Sequence, residues 1–287
     1  MPDEISEGKG YKVTNGVRAY EDLVFLRSDA CRGIRLELEF LKPELVFQAN
    51  QIESTIVIFG SARTLPPDVA EQRLAEACAK LSASPGDAKL RAQVAHCERL
   101  VQASHYYQVA REFAAMVTHE CQIRNLEPCR QFVVLTGGGG GIMEAGNRGA
   151  FDEGGVSAAL NITLPFEQHP NEYITPDLNF LLHYFSIRKM HFLKRAKVLA
   201  CFPGGFGTMD ELFEALTLIQ TKKIARMPVL LYGREFWEKL INWNMFVEQG
   251  MISPEDLDLF TYCETAADGW NAIRAFYGAN RKTAADF

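Results

Sequence analysis

The apolar positions of the chain fall into short runs that are hydrophobic at every residue. These are Thr55-Ile-Val-Ile-Phe59, Phe132-Val-Val-Leu135, Val156 to Ile162, Lys197-Val-Leu-Ala-Cys-Phe202 and Pro228-Val-Leu-Leu-Tyr232. Runs of this kind predict strands covered on both faces, as in a parallel sheet. Leu178 to His183 and Leu259 to Cys263 are two further strand candidates. Between them the spacing turns helical. Pro66-Pro67-Asp68 opens one helix. Val94, Cys97, Val101, Ala110, Phe113, Ala114 and Val117 mark a long one from about Ala88 to Arg124, packed against the sheet edge or a partner subunit. Others are predicted over Ile142 to Ala150, Asp210 to Gln220, Phe236 to Gln249 and Ala266 to Tyr277. Ile34 to Leu41 alternates in polarity, which suggests a strand, but its Leu/Glu content and the following Lys42-Pro43-Glu44-Leu45 favour helix.

Strands alternating with helices predict an α/β protein: a doubly wound parallel sheet, Rossmann-like and flanked by helices. Residues 1–53, which precede the first strand, are expected to form a helical extension packed on the core or on a partner subunit. Residues 54–287 form the Rossmann-like domain in this reading.

Composition narrows the class. Hydrophobic residues make up 47% and charged residues 23% of 287 residues, ordinary for a globular domain. The net charge of -6 and the lack of a long basic run disfavour nucleic acid. The seven cysteines are scattered, with no zinc spacing, so reduced thiols and no metal are expected. The acidic, polar start is not that of a signal peptide, and no apolar run reaches the length of a membrane span. A cytoplasmic protein without membrane contact is the expectation.

Two glycine-rich turns carry the candidate chemistry. The first follows the Phe132 strand: Thr136, then five consecutive glycines, Gly137 to Gly141. Glycine allows close backbone approach and positive φ, and amides at a helix start hold anions. The next strand does not end in the acid that would bind a nicotinamide ribose; Asn161 lies there instead. The second turn is Pro203-Gly-Gly-Phe-Gly-Thr-Met-Asp-Glu211. Gly204, Gly205 and Gly207 leave room for a phosphate, and Thr208 can cap the helix and donate its hydroxyl. Glu211 is expected in the first helical turn, either as a dipole-stabilising acid or as a carboxylate set beside the bound phosphate. Between the turns, Phe185-Ser-Ile-Arg-Lys-Met-His-Phe192 offers Arg188 and Lys189, either as surface charges or as partners of phosphate or Glu211.

Gly137 to Ala145, Arg188-Lys189 and Pro203 to Glu211 together resemble the Lonely Guy family, nucleoside 5′-monophosphate phosphoribohydrolases long labelled as possible lysine decarboxylases. The resemblance covers roughly residues 54 to 280, in a form like the family's longer bacterial branch. It implies cleavage of AMP or cytokinin-type nucleotides to free base and ribose 5-phosphate, with no cofactor and no metal. It also implies Arg188 and Glu211 as the catalytic pair. Substrate contacts would come from Gly60, Ser61, Gly137, Gly138, Gly139, Met143, Lys189, Gly204, Gly205, Gly207 and Thr208. A homodimer or higher homo-oligomer is implied as well. Phe185 and Phe192 stand where the family usually has methionines, which bears on base preference.

Two other classes share these motifs. A nucleotide or cofactor carrier of the same fold would need the turns but not the Arg188–Glu211 pair. A pyridoxal phosphate decarboxylase would need a lysine with an acidic partner for the ring nitrogen, and neither Lys189 nor Lys197 has that context.

Overall fold

The computed structural model describes residues 16–124, 129–163 and 169–279. Seven strands form one sheet in the order β4-β3-β2-β1-β5-β6-β7, and every pairing is parallel. The strands are β1 (Thr55–Phe59), β2 (Val133–Thr136), β3 (Ser157–Ile162), β4 (Asn179–Leu182), β5 (Ala196–Cys201), β6 (Val229–Tyr232) and β7 (Thr261–Cys263). From β1 the chain winds outward through β2, β3 and β4. It then returns to the other side of β1 with β5 and winds outward again.

The continuous apolar runs have a direct structural cause. Alternate residues of one strand enter opposite layers. Val57, Phe59, Leu135, Leu199 and Cys201 pack into one core, and Ile56, Ile58, Val134, Val198 and Ala200 into the other. Ten helices flank the sheet among the described residues: α1 (Leu23–Arg27), α2 (Arg32–Ala49), α3 (Pro67–Ala83), α4 (Ala88–Thr118), α5 (Ile142–Asp152), α6 (Phe185–Lys194), α7 (Phe206–Gln220), α8 (Arg234–Leu240), α9 (Trp243–Glu248) and α10 (Ala266–Ala279). The first core takes Phe47 of α2, Phe192 of α6, Leu212 of α7 and Trp237 of α8. The second takes Phe113 and Val117 of α4, Ala145 of α5 and Ile273 of α10. The doubly wound α/β fold is therefore as expected, and Ile34 to Leu41 is helix.

Three local expectations need correction. The long helix holds from Ala88 to Thr118 but closes in a π turn over His119–Ile123. The helix expected over Phe236 to Gln249 is two, because Asn242 starts a new one: its side chain accepts from the Met245 amide at 3.2 Å. The helix after the second glycine turn begins at Phe206 rather than near Asp210, with Gly205 as its N-cap and no side-chain cap. Thr208 is thus inside the first turn rather than capping it, and Glu211 lies in the second turn. No described helix is long and apolar enough to cross a membrane.

Candidate active site

The winding direction reverses between β1 and β5, which sets a topological switch point at the carboxyl ends of these neighbours, where ligands bind in open α/β sheets. Three turns lie there: Gly60-Ser61 after β1, Gly137 to Gly141 after β2, and Pro203 to Gly205 after β5. The first ties the other two together. The Ser61 amide donates to the Pro203 carbonyl at 3.1 Å, and the Ile142 amide donates to the Ser61 carbonyl at 3.1 Å. Ser61 Oγ accepts from the Arg63 amide at 3.0 Å.

The Gly137 turn is held from behind. The Gly138 amide donates to Thr136 Oγ1 at 3.0 Å, with φ of 77° at Gly138, where an L side chain is strained. Asn171 grips the turn's carbonyls: its backbone amide reaches Gly138 O at 2.9 Å, and its Nδ2 reaches Gly139 O at 3.0 Å and Asn147 Oδ1 at 3.0 Å. Asn147 Oδ1 also accepts from the Thr136 hydroxyl at 2.7 Å. With the carbonyls engaged on that side, the Gly139 and Gly140 amides have no partner among the described residues. Neither asparagine was marked by any motif. Asn171 lies in an irregular segment more than thirty residues beyond the turn it holds, and nothing local in the sequence signals that role.

The first-turn amides of α7, at Phe206, Gly207 and Thr208, likewise have no capping side chain. Orphan amides at a helix start form an anion receptor. Gly205 and Gly207 are exposed beside it, Gly204 is half-buried, and Thr208 is buried.

Arg188 and Glu211 lie within each other's electrostatic reach, and the Arg188 guanidinium reaches the Gly137 turn. Arg188 Nε donates to the Leu160 carbonyl at 2.8 Å, and its guanidinium carbon lies 5.0 Å above the Phe192 ring. Burial works against its charge, and Glu211 supports it. A guanidinium stays protonated all the same. Glu211 is 5% exposed, and its Oε2 has no hydrogen-bond partner. Burial pushes its carboxyl up to about 7, opposed by the charges of Arg188 and Lys189 and reinforced by Glu214 and Asp210. A buried, unpartnered carboxylate is costly, and a carboxyl titrating near neutrality marks a functional-site candidate.

Other expected residues are placed differently. Lys189 turns to α7, where its ammonium pairs with Asp210 at 2.9 Å and Glu214 at 3.2 Å rather than reaching the glycine turns. Met143 stands over Gly137: a Cβ there would lie 2.8 Å from its sulfur. Phe192 is fully buried beneath Arg188, whereas Phe185 is 53% exposed and Phe206 is 96% exposed. Of the two phenylalanines in the methionine positions, only Phe185 is at the surface. A groove of about 980 Å³ is lined by residues such as Ala196 and Met227 at the starts of β5 and β6, at the opposite end of these strands from the turns. Among the described residues no cluster of His, Cys, Asp and Glu is arranged to hold a metal ion.

Residues 143–273 match the family described as "Possible lysine decarboxylase". Over that span, less than half of the chain, the sequence is similar to this family. The match takes in Arg188 and Pro203 to Glu211 and begins after the Gly60 and Gly137 turns. A comparison with curated proteins gives no match. Among solved structures, the molybdenum cofactor binding protein from the phototrophic bacterium Rippkaea orientalis is similar at 18% identity, covering 60% of this chain and 88% of that one, with a TM-score of 0.43. The molybdenum cofactor carrier protein from Chlamydomonas reinhardtii is similar at 19% identity, covering 79% and 97%, also with a TM-score of 0.43. Neither likeness decides what this chain binds.

Proposed function

We propose that the protein binds a nucleotide at the β1–β5 switch point and hydrolyses the base–ribose bond of a nucleoside 5′-monophosphate. The coarser half of this reading, binding of a nucleotide or a phosphate-bearing cofactor, rests on the fold and on the free amides of α7 and of the Gly137 turn. The finer half rests on one observation: Glu211, buried and with one oxygen unpartnered, titrates near neutrality within the field of Arg188.

In this reading the 5′-phosphate sits on the amides of Phe206, Gly207 and Thr208, where the helix dipole favours negative charge. Arg188 adds a fixed positive charge. Once ionised, Glu211 accepts hydrogen bonds from the ribose hydroxyls or takes a proton from the attacking water, and a base is most effective when its pKa lies near the working pH. Water adds at C1′ as the bond to the base breaks. The sugar becomes oxocarbenium-like on the way, and the carboxylate stabilises that charge without reorganising. The bonding electrons leave with the base, which gains a proton, and ribose 5-phosphate remains.

The second reading is a carrier of a phosphate-bearing cofactor. The free amides would serve it equally, but it gives a buried carboxylate of this kind no task. Incubation with AMP, GMP, CMP, UMP and isopentenyl-AMP, followed by chromatography, separates the two. Free base and ribose 5-phosphate from the wild type and not from Glu211→Gln support the hydrolase. Tight binding of a nucleotide with no cleavage leaves the carrier.

A further inference from the structure

The helix that carries Arg188 is gripped along its length by a helix outside the sheet. At its entry, Glu39 of α2 accepts from two consecutive backbone amides, His183 at 2.8 Å and Tyr184 at 3.1 Å. Tyr184 is the N-cap of α6 and receives no side-chain cap from its own segment. Its hydroxyl accepts from Arg35 Nε, also of α2, at 3.2 Å. Its carbonyl in turn accepts from the Arg188 amide at 3.1 Å. One residue therefore connects the Glu39 carboxylate to the backbone of Arg188. At the far end, Glu44 of α2, only 7% exposed, is bonded to Arg195 and lies 3.3 Å from Lys194 Nζ and 3.5 Å from His191 Nδ1. On the opposite side of α6, Lys189 is held by Asp210 and Glu214 of α7.

We infer that Glu39 and Glu44 are positioning residues that fix α6 so that the Arg188 guanidinium faces Glu211. A ten-residue helix tied at both ends to α2 cannot slide or tilt without breaking charge-assisted hydrogen bonds, which are the stronger class. Removing the tie at the entry frees the turn from which Arg188 projects. The amphipathic face of α2 thus has a specific task at the proposed site, although neither carboxylate reaches the switch point. This inference rests on the pairing of Arg188 with Glu211 in the reading above.

The test reads Glu211 itself and needs no turnover. The groups acting on its carboxyl are Arg188 and Lys189 from α6 and Asp210 and Glu214 from α7, with the buried Cys201 thiol of β5 also coupled to it. Carbon NMR of side-chain carboxyl-labelled glutamate in the ligand-free protein, with Glu211→Gln to assign the signal, gives its titration midpoint. In Glu39→Ala the midpoint is expected to rise by roughly one unit, because an opposite charge holds a carboxylate pKa down by about that much or more. Loss of a negative charge at residue 39 would on its own move the midpoint down, so a rise reports displacement of Arg188. Glu39→Gln keeps one acceptor and should recover part of the shift. Glu44→Gln provides a second, independent variant if Glu39→Ala does not fold. A general loss of stability would lower Tm and leave the midpoint in place. An unmoved or lowered midpoint in a folded Glu39→Ala or Glu44→Gln protein overturns the inference. If no nucleotide is cleaved by the wild type, the hydrolase reading fails, while the titration still decides the positioning role.

Discussion

The Arg188 guanidinium occupies the space that a side chain at Gly137 would need: Nη2 lies 2.7 Å from the ideal Cβ position of residue 137. The first glycine of the turn thus serves to admit an arginine from another helix. Gly137→Ala is expected to fold, since the neighbours that must give way are the ends of two flexible side chains, Arg188 and Met143. Its destabilisation should be about 1 kcal/mol, the lower end for overpacking. Displacing a charged group by an ångström can lower turnover by about a hundredfold. A large fall in kcat/KM with a nearly unchanged Tm is the expected pair of results. Equal turnover in both proteins would separate Arg188 from the chemistry.

Glu211 ties stability to pH in a direction that can be worked out. Its carboxyl is raised from 4.5 to about 7 by burial, so between these values the folded state binds more protons than the unfolded one. Stability therefore falls as pH rises from about 4.5 to about 7. Each unit is about 1.4 kcal/mol, which makes the full loss roughly 3 to 4 kcal/mol. Glu211→Gln removes this dependence. The variant should be more stable than the wild type above pH 7 by about that amount, and the gap should close towards pH 4.5. Denaturant unfolding across that range measures it. The rate should follow the opposite course in the wild type, rising through pH 7 as the base ionises.

The reach of the sequence differs from element to element, for physical reasons. Strands buried on both faces declare themselves as unbroken apolar runs, so β1, β2, β3, β5 and β6 were legible. The start of α7 was not. Phe206-Gly207-Thr208 reads as turn because no capping side chain precedes it, yet the helix begins there with its amides left free. That absence is itself the feature of interest, and it moves Glu211 from the first turn to the second. The break between α8 and α9 was signalled by Asn242, a capping residue hidden inside an otherwise helical pattern. The alternation of Ile34 to Leu41 predicts an amphipathic element, but only the packing of α2 on α6 reveals what Glu39 holds. The same holds for Asn171, whose partners are backbone carbonyls that no motif records.

Neighbouring cations on α6 should behave differently. Lys189 is engaged by Asp210 and Glu214, and Arg188 is directed towards Gly137. Lys189→Ala is expected to cost no more than about 1 kcal/mol of stability, as for partly exposed ion pairs, and to leave nucleotide affinity within about threefold. Arg188→Ala should weaken binding of a nucleoside monophosphate by about tenfold or more, since a charged hydrogen-bonding partner is lost. Calorimetric titration of both variants with AMP gives the comparison. Equal losses would mean that Lys189 leaves its carboxylates when ligand binds.

Asn171 offers the sharpest test of how the Gly137 turn is shaped. Its side-chain nitrogen donates to Gly138 O, Gly139 O and Asn147 Oδ1; in Asn171→Ala the backbone amide still serves Gly138 O and the Thr136 hydroxyl still serves Asn147 Oδ1, but the Gly139 carbonyl loses its donor. The cost should be about 1 to 3 kcal/mol, the penalty for an unsatisfied buried group. Asn171→Asp keeps the shape but sets a carboxylate against carbonyl oxygens, and it should be the more damaging of the two. If the turn's carbonyls are held back so that the Gly139 and Gly140 amides face the ligand, both variants must also bind nucleotide more weakly while remaining folded. Measuring affinity at a temperature well below each Tm separates that effect from unfolding. Normal affinity in a folded Asn171→Ala protein would leave α7 as the phosphate site and remove the Gly137 turn from it.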